Sequence, residues 1–172
     1  PRPQTNAGAA FLPAMLANPI DRAELDALDP AHFRAEWKWD GIRVQVVADS
    51  NTTTLYSRTG EDITGSFPEL KMPAGFVGVI DGELLARRSD MERLASGTFN
   101  DLQQRLNRKA PPQKLIEGSP VFVRAYDLLQ TGEHDMRSQT TMERRQALVD
   151  VLSAVRPDFM DASEHVEFGD FE

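Results

Sequence analysis

The chain has 172 residues, of which 40% are hydrophobic and 27% charged, so it is long enough for one domain with a sizeable core and is unlike disordered, collagen-like or coiled-coil chains. Its net charge of -8 comes from 19 Lys plus Arg against 27 Asp plus Glu, which gives no chain-wide attraction to nucleic acid. The chain lacks Cys and any apolar run of about 18 residues, which excludes disulfides, thiolate sites and a membrane span and favours a reducing, intracellular location.

The first segment, residues 1–10, is composed of small, polar and Pro residues and is predicted to be a linker. A helix is predicted from Asp21, because Glu24 follows at the spacing of a capping box, and Pro30 ends it. Residues 33–48 alternate as in a strand that is interrupted at Asp40-Gly41, and residues 53–58 form the second strand of a hairpin.

Two further β-rich runs, residues 76–86 and 121–129, are separated by a helix predicted near residues 100–109. A last helix is predicted from Thr140, with Glu143 completing a capping box and Pro157 ending it. It should turn four apolar side chains inward: Leu148, Val149, Leu152 and Val155. Hairpins with interspersed helices predict an α+β fold with mostly antiparallel sheets.

Charge is unevenly distributed along the chain. Residues 87–114 contain seven basic and three acidic side chains, whereas residues 158–172 contain six acidic and no Lys or Arg. The basic residues 87–114 could contact phosphate, and the acidic residues 158–172 would repel a polyanion at short range. The alternative is that both are ordinary solvated surface.

The most informative segment runs from Glu36 to Arg43 and reads EWKWDGIR. If it begins as a strand, Glu36, Lys38 and Asp40 lie on one face, and Trp37 and Trp39 lie on the other. A lysine is a nucleophile only when its amine is neutral, so a reactive lysine depends on its neighbours. The alternative is a half-buried strand with a charged solvent face.

Four motifs follow one another along the chain. The first is a Lys-x-Asp-Gly-x-Arg motif around Lys38, and the others are Tyr56 to Asp62 (YSRTGED), Val79 to Leu84 (VIDGEL) and Val123 to Leu128 (VRAYDL). In type and order they resemble the motifs of the covalent nucleotidyltransferases, which include ATP-dependent DNA ligases, RNA ligases and mRNA capping enzymes. Residues 99–105 and 143–145 are similar to bacterial ATP-dependent DNA ligases in particular. The resemblance covers roughly residues 11–168.

The resemblance implies an ATP-grasp-like nucleotidyltransferase fold, with residues 11–172 forming part of a DNA ligase adenylation domain. Two later family motifs and an oligonucleotide-binding domain are absent from the sequence, so we expect a C-terminally incomplete domain and a piece of a longer protein. Alone, this piece is expected to be monomeric, to bind ATP weakly and to adenylate itself poorly.

The resemblance also assigns the site residues. Lys38 is the expected catalytic nucleophile, which attacks the α-phosphorus of ATP and holds AMP through a P–N bond. The expected nucleotide-binding residues are Glu36, Trp37, Arg43, Arg58, Glu83 and Tyr126. The two arginines would contact ribose and α-phosphate, and Glu83 would bind a ribose hydroxyl or Mg²⁺. Tyr126 would stack on the purine, and Glu36 would accept from the amino group of adenine.

Each of these residues also has a structural interpretation: surface ion pairs for the arginines, a turn for Asp81-Gly82-Glu83, and a core aromatic for Tyr126. At the level of the whole protein the resemblance implies ATP and Mg²⁺ as cofactors and nicked double-stranded DNA as partner. It also implies a role in repair, replication or recombination, no membrane association, and a bacterial cytoplasmic, nucleoid-associated location.

Alternative functions remain at this point. An RNA ligase or a capping-type guanylyltransferase belongs to the same superfamily, whereas a noncatalytic nucleotide-binding scaffold would only retain the fold. The intact set of Lys38, Arg43, Arg58 and Glu83 disfavours the scaffold. An NAD-dependent ligase is disfavoured by the position of Arg43, and nothing else in the chain supports a Schiff-base lysine for pyridoxal phosphate.

Overall fold

A computed structural model describes residues 9–87, 99–106 and 108–171 of the chain. The helices are α1 (Arg22–Asp26), α2 (Phe99–Leu106), α3 (Gln113–Gly118) and α4 (Thr141–Val155), with 3-10 turns at Pro30–His32 and Thr64–Ser66. The strands are β1 (Ala35–Glu36), β2 (Ile42–Asp49), β3 (Thr52–Ser57), β4 (Gly78–Ala86), β5 (Val121–Thr131), β6 (His134–Asp135), β7 (Met160–Ala162) and β8 (His165–Val166).

The main sheet has six strands in the order β3-β2-β4-β5-β6, with β7 paired to β5. All these pairs are antiparallel except β5–β7. A second, two-stranded antiparallel sheet joins β1 to β8. The predicted α+β class with mostly antiparallel sheets is therefore confirmed.

Local sequence signals locate several elements well. The predicted hairpin is β2–β3, closed by Ser50 and Asn51 between the paired Asp49 and Thr52. The capping box of α1 is formed by Asp21 and Glu24. In the box of α4, the hydroxyl and the amide of Thr140 donate to Glu143 at 2.7 and 2.8 Å, and these two hydrogen bonds lower the pKa of Glu143.

Other predictions fail. Residues 37–40 are not in a strand, so the strand predicted from residue 33 is reduced to β1, separate from β2. In α4, Leu148 and Leu152 are buried as predicted, but Val149 is exposed because it lies about 100° around the helix from Leu148. Helix α3 and strands β6 and β7 were not predicted. Residues 1–8 of the linker, and Arg88 and Arg93 of the basic segment, lie outside the described residues.

The alternation of side chains along β4 separates the core from the opposite face of the sheet. Ile80 and Leu84 belong to the main core cluster, which also contains Leu102 of α2 and Leu148 of α4. On the other face, Val79 belongs to a small cluster completed by Val47 and Leu129 and covered by Ala9 and Leu12. Within the described ranges, no helix is long and apolar enough to span a membrane.

Arg105 of α2 is a fully buried cation that joins three parts of the fold. Its guanidinium donates to Glu69 at 2.7 Å and to the backbone carbonyls of Ser66 and Ser119, each at 3.0 Å. It also lies 4.8 Å from the centre of the Phe67 ring. A buried charge is tolerated only when it is paired. The contacts of Arg105 meet this requirement, so we assign it a structural role.

We expect Arg105→Met to lower the free energy of unfolding by about 3 kcal/mol, because Glu69 and two backbone carbonyls lose their donor. Urea unfolding followed by circular dichroism measures the change. Arg108→Met is the matched control, since Arg108 is exposed near the same helix end, and should change stability by less than about 0.5 kcal/mol. Equal effects of the two substitutions would contradict the structural role.

Candidate active site

A cavity of about 950 Å³ opens on the face of the main sheet opposite the core. Every residue that the sequence analysis selected lines it: Glu36, Trp37, Lys38, Arg43, Arg58, Glu83 and Tyr126. These residues come from four separate stretches of sequence, so their convergence is a property of the fold. The individual roles assigned to them remain predictions.

Neighbouring strands supply the floor of this cavity. Arg43 of β2 lies directly opposite Glu83 of β4, and Tyr126 is carried by β5, which pairs with the other edge of β4. Asp81 and Glu83 are two residues apart on one strand, and both line the cavity, as the sequence predicts. Arg58 is exposed in the turn after β3, which Gly60 completes with a φ of 83°.

Lys38 lies in an irregular segment, residues 37–41, between β1 and β2. The predicted alternation around it is wrong, because Trp37 is 60% exposed whereas Trp39 is half-buried. The pairing of β1 with β8 covers only two residues, so no ladder extends the strand to Lys38. Among the described residues, Lys38 has no ion pair or hydrogen bond, and its side chain is exposed at the cavity.

Gly41 allows this segment to approach β4 closely. Its amide donates to Oε1 of Glu83 at 3.2 Å. A Cβ at this position would lie 2.3 Å from the carbonyl oxygen of Leu84, which is shorter than any allowed contact. The Gly of the Lys-x-Asp-Gly motif is therefore required by the packing of backbone on backbone.

Arg43 and Asp81 form a two-point ion pair at the floor of the cavity. Nη2 of Arg43 donates to Oδ2 of Asp81 at 2.6 Å, and Nε donates to Oδ1 at 3.2 Å. Nη2 also donates to the carbonyl of Met15 at 2.7 Å, and the guanidinium lies 5.8 Å from the centre of the Tyr126 ring. Since both oxygens of Asp81 accept from Arg43, Glu83 is the more available of the two carboxylates on β4.

Burial controls the protonation of this group of side chains. It raises the pKa of Glu83 to about 7, although the Gly41 amide and Arg43 act in the opposite direction. Burial also raises the pKa of Tyr126, so the phenol is neutral. The pKa of Asp81 is raised by burial against the effect of Arg43, whose own pKa is raised chiefly by its hydrogen bond to Asp81.

Glu36 lines the cavity from β1, where it lies directly opposite His165 of β8. Its Oε1 is 3.3 Å from Nε2 of His165. The carboxylate on which the adenine prediction depends is thus 41% exposed at the cavity edge while it contacts a neighbouring strand.

Sequence reasoning assigned no role to the Asp127–Arg144 pair or to the N-terminal segment at the cavity. Arg144 of α4 is 6% exposed and donates to both oxygens of Asp127, at 2.8 and 3.0 Å. This pair fixes the first turn of α4 to β5, next to Tyr126. Met15 and Leu16 of the N-terminal segment also line the cavity. Asp127 and Arg144 fall within motifs quoted above, so those motifs were the available signal.

The described residues contain no group of three or more side chains that could hold a metal ion by themselves. A single carboxylate is nevertheless what Mg²⁺ commonly takes from a protein when substrate phosphates supply further oxygens. Glu83 at the cavity fits that kind of site.

Comparison with known proteins identifies the family. The model of the ATP dependent DNA ligase domain matches residues 14–172. The chain belongs to this family. It is 37% identical over 142 residues to a probable DNA ligase of Anaeromyxobacter sp., covering 78% of the chain and 26% of that protein. It is 34% identical over 155 residues to a probable DNA ligase of Koribacter versatilis, covering 88% and 26%. The chain therefore spans about a quarter of the length of these relatives.

Two solved structures share the fold. The ligase domain of M. tuberculosis LigD aligns with a TM-score of 0.62 and 24% identity, covering 78% of this chain and 41% of that one. A mycobacterial DNA ligase D complexed with ATP and MES aligns with a TM-score of 0.60 and 26% identity, covering 80% and 41%. The nucleotidyltransferase fold expected for this ligase domain is thus confirmed.

The raised pKa of Glu83 predicts a pH-dependent stability difference. Between pH 4.5, the ordinary value for Glu, and about 7, the folded state binds more protons at Glu83 than the unfolded state. The stability contributed by this protonation is complete below that window and is lost as the pH rises through it. Over this window the free energy of unfolding of the unmodified chain should fall by about 1 to 2 kcal/mol relative to that of Glu83→Gln. This is less than the full pKa shift corresponds to, because solvent screens a partly exposed carboxyl.

Urea unfolding of both proteins from pH 4.5 to 8 measures this difference. The matched control is Glu61→Gln, which removes an exposed carboxylate. The free energy of unfolding of Glu61→Gln should change with pH in the same way as that of the unmodified chain. Parallel curves for Glu83→Gln would contradict the buried, proton-binding state of Glu83.

Proposed function

We propose that residues 11–172 are the nucleotide-binding part of a DNA ligase adenylation domain, in which Lys38 forms a covalent bond to AMP from ATP. The observation that carries the proposal is that the amine-bearing side chain of Lys38 has no partner among the described residues and shares one cavity with Arg58, Glu83 and Tyr126. Membership of the ligase family and the likeness to a mycobacterial DNA ligase D complexed with ATP support it.

The base would bind at the Tyr126 end of the cavity. The phenol is neutral and its ring lies beside the Arg43 guanidinium, so a flat, apolar surface is available for stacking. Glu36 is an acceptor at the edge of the same cavity and would favour the amino group of adenine over the carbonyl of guanine. Glu36 thus favours ATP over GTP, whereas stacking on Tyr126 serves either purine.

The phosphates would lie between Lys38 and Arg58. Both cations are exposed at the cavity, and neither has an ion pair among the described residues. Arg43 is held by Asp81 and Met15, so it would contribute a fixed positive charge rather than a mobile one. Fixed cations stabilise the charge that develops on a transferring phosphoryl group.

The chemical step is a displacement at phosphorus. The lone pair of the neutral Nζ of Lys38 forms a P–N bond to the α-phosphorus, the bond from that phosphorus to the bridging oxygen breaks, and pyrophosphate leaves with those electrons. The attached nitrogen then releases one proton to water, which gives the phosphoramidate. When bound, Mg²⁺ held in part by Glu83 would neutralise phosphate charge.

In the whole protein the AMP would pass to the 5′-phosphate at a nick in double-stranded DNA, and the neighbouring 3′-hydroxyl would then displace it. The relatives are named as DNA ligases, which supports a role in repair, replication or recombination and a cytoplasmic, nucleoid-associated location. Because the chain carries a net charge of -8, other parts of the protein would provide most contacts to DNA phosphates.

Replacement of the nucleophile tests the proposal directly. The full-length protein incubated with α-labelled ATP and Mg²⁺ should gain a label that is labile in acid and stable in alkali, as a P–N bond requires. Lys38→Arg should abolish it, since guanidinium keeps the charge but is not a nucleophile. Lys71→Arg, at an exposed position away from the cavity, is the matched control.

Three outcomes would contradict this function: no label in the unmodified protein, persistence of the label in Lys38→Arg, or labelling from GTP instead of ATP. The last result would favour a guanylyltransferase. A labelled protein that seals nicks only in RNA would favour an RNA ligase.

The stacking role of Tyr126 predicts a second result. Tyr126→Leu should weaken ATP binding by a factor of about 10, because base–aromatic stacking contributes about 1 to 3 kcal/mol. Tyr126→Phe keeps the ring and should bind as the unmodified protein does. Isothermal titration calorimetry with ATP measures both. Equal affinity in all three proteins would remove Tyr126 from the base site.

A further inference from the structure

The segment that carries Lys38 is held at both ends by the last part of the described chain. On the N-terminal side, Glu36 pairs with His165 in the two-stranded sheet. On the C-terminal side, the indole Nε1 of Trp39 donates to Oγ of Ser163 at 2.9 Å, across 124 residues of sequence. Lys38 therefore lies between two contacts with residues 163–165.

Ser163 is a fixed acceptor. It is 1% exposed, and its amide donates to the carbonyl of Ala125 in β5 at 2.7 Å. Its own carbonyl accepts from Nη2 of Arg145 in α4. Because both backbone groups of Ser163 are bonded to the main fold, its hydroxyl holds Trp39 against an element that has little freedom to move.

The face of the indole is held as well as its edge. The guanidinium of Arg124 in β5 lies 4.5 Å from the centre of a Trp39 ring. Arg124 is itself 2.7 Å from Asp161, its neighbour in the parallel β5–β7 pair. A cation above the ring and an acceptor at its N–H together determine both the tilt and the rotation of the indole.

We propose that Trp39 is a positioning residue for Lys38, and that its hydrogen bond to Ser163 fixes the peptide of the nucleophile so that the amine faces the cavity. This inference rests on the proposed function of Lys38. Trp37, the other neighbour of Lys38, is 60% exposed, so it does not supply an equivalent constraint. A misplacement of the nucleophile by about 1 Å can lower a rate by about 100-fold.

Two substitutions remove the hydrogen bond from opposite sides. Trp39→Phe keeps an aromatic ring next to Arg124 but removes the donor, and Ser163→Ala removes the acceptor. In the full-length protein we expect each to lower the rate of Lys38 adenylation at saturating ATP by at least about 10-fold. The ATP concentration at half-maximal rate should stay within twofold, since the proposed mode places the base at Tyr126 and the phosphates between Lys38 and Arg58. Trp39 also lines the cavity, and Trp39→Phe keeps an aromatic ring there.

The double variant Trp39→Phe/Ser163→Ala should be no slower than the slower single variant, because both act through one hydrogen bond. Ser153→Ala, an exposed serine of α4, is the matched control and should leave the rate unchanged. Rates are normalised to the folded fraction of each protein. A purely structural role would therefore lower the melting temperature but would not lower the normalised rate at an unchanged half-saturating ATP concentration.

Unmodified rates in both single variants, or a half-saturating ATP concentration that rises as much as the rate falls, would overturn the inference. If the unmodified protein forms no adduct at all, the proposed function fails, and amide hydrogen exchange of residues 37–41 then decides the positioning role. Exchange at least 10-fold faster in Trp39→Phe and Ser163→Ala, but not in Ser153→Ala, supports it. Equal exchange in all proteins overturns it.

Discussion

The ion pair between Arg43 and Asp81 is the interaction on which the shape of the cavity depends. Asp81 is 1% exposed, so its carboxylate would be very costly without the two donors of Arg43. The pair joins adjacent strands β2 and β4, and Arg43 also binds the carbonyl of Met15 and lies beside Tyr126. One guanidinium thereby fixes the floor, one wall and the aromatic surface of the site, which leaves Lys38 and Arg58 as cations available to a ligand.

Much of the fold follows from local sequence signals. The capping boxes at Asp21 and Thr140 and the β2–β3 hairpin depend on residues only a few positions apart, so they were predictable. The segment around Lys38 was not, because its conformation is determined by partners far away in sequence. Glu83 holds the amide of Gly41 and Ser163 holds Trp39, and these contacts override the strand-like alternation.

The candidate site was predictable to the extent that its residues occur in ordered motifs. Their convergence on one cavity could be expected from antiparallel pairing, since register determines which side chains share a face. The coverage by Met15 and the burial of Glu83, with its pKa near 7, could not. The first depends on how the N-terminal segment packs on the sheet, and the second involves the close approach of Gly41 to β4. Periodicity contains no information on either contact.

The contact between Trp39 and Ser163 also has a consequence for biosynthesis. Lys38 leaves the ribosome long before the serine that supports its neighbour, because 124 residues separate the two partners of that bond. Throughout most of translation the segment that carries Lys38 is without this support. Contacts of such large sequence separation form late and slow the folding of a domain. On the proposed function, Trp39 therefore gains the acceptor that positions Lys38 only after residue 163 has been synthesised.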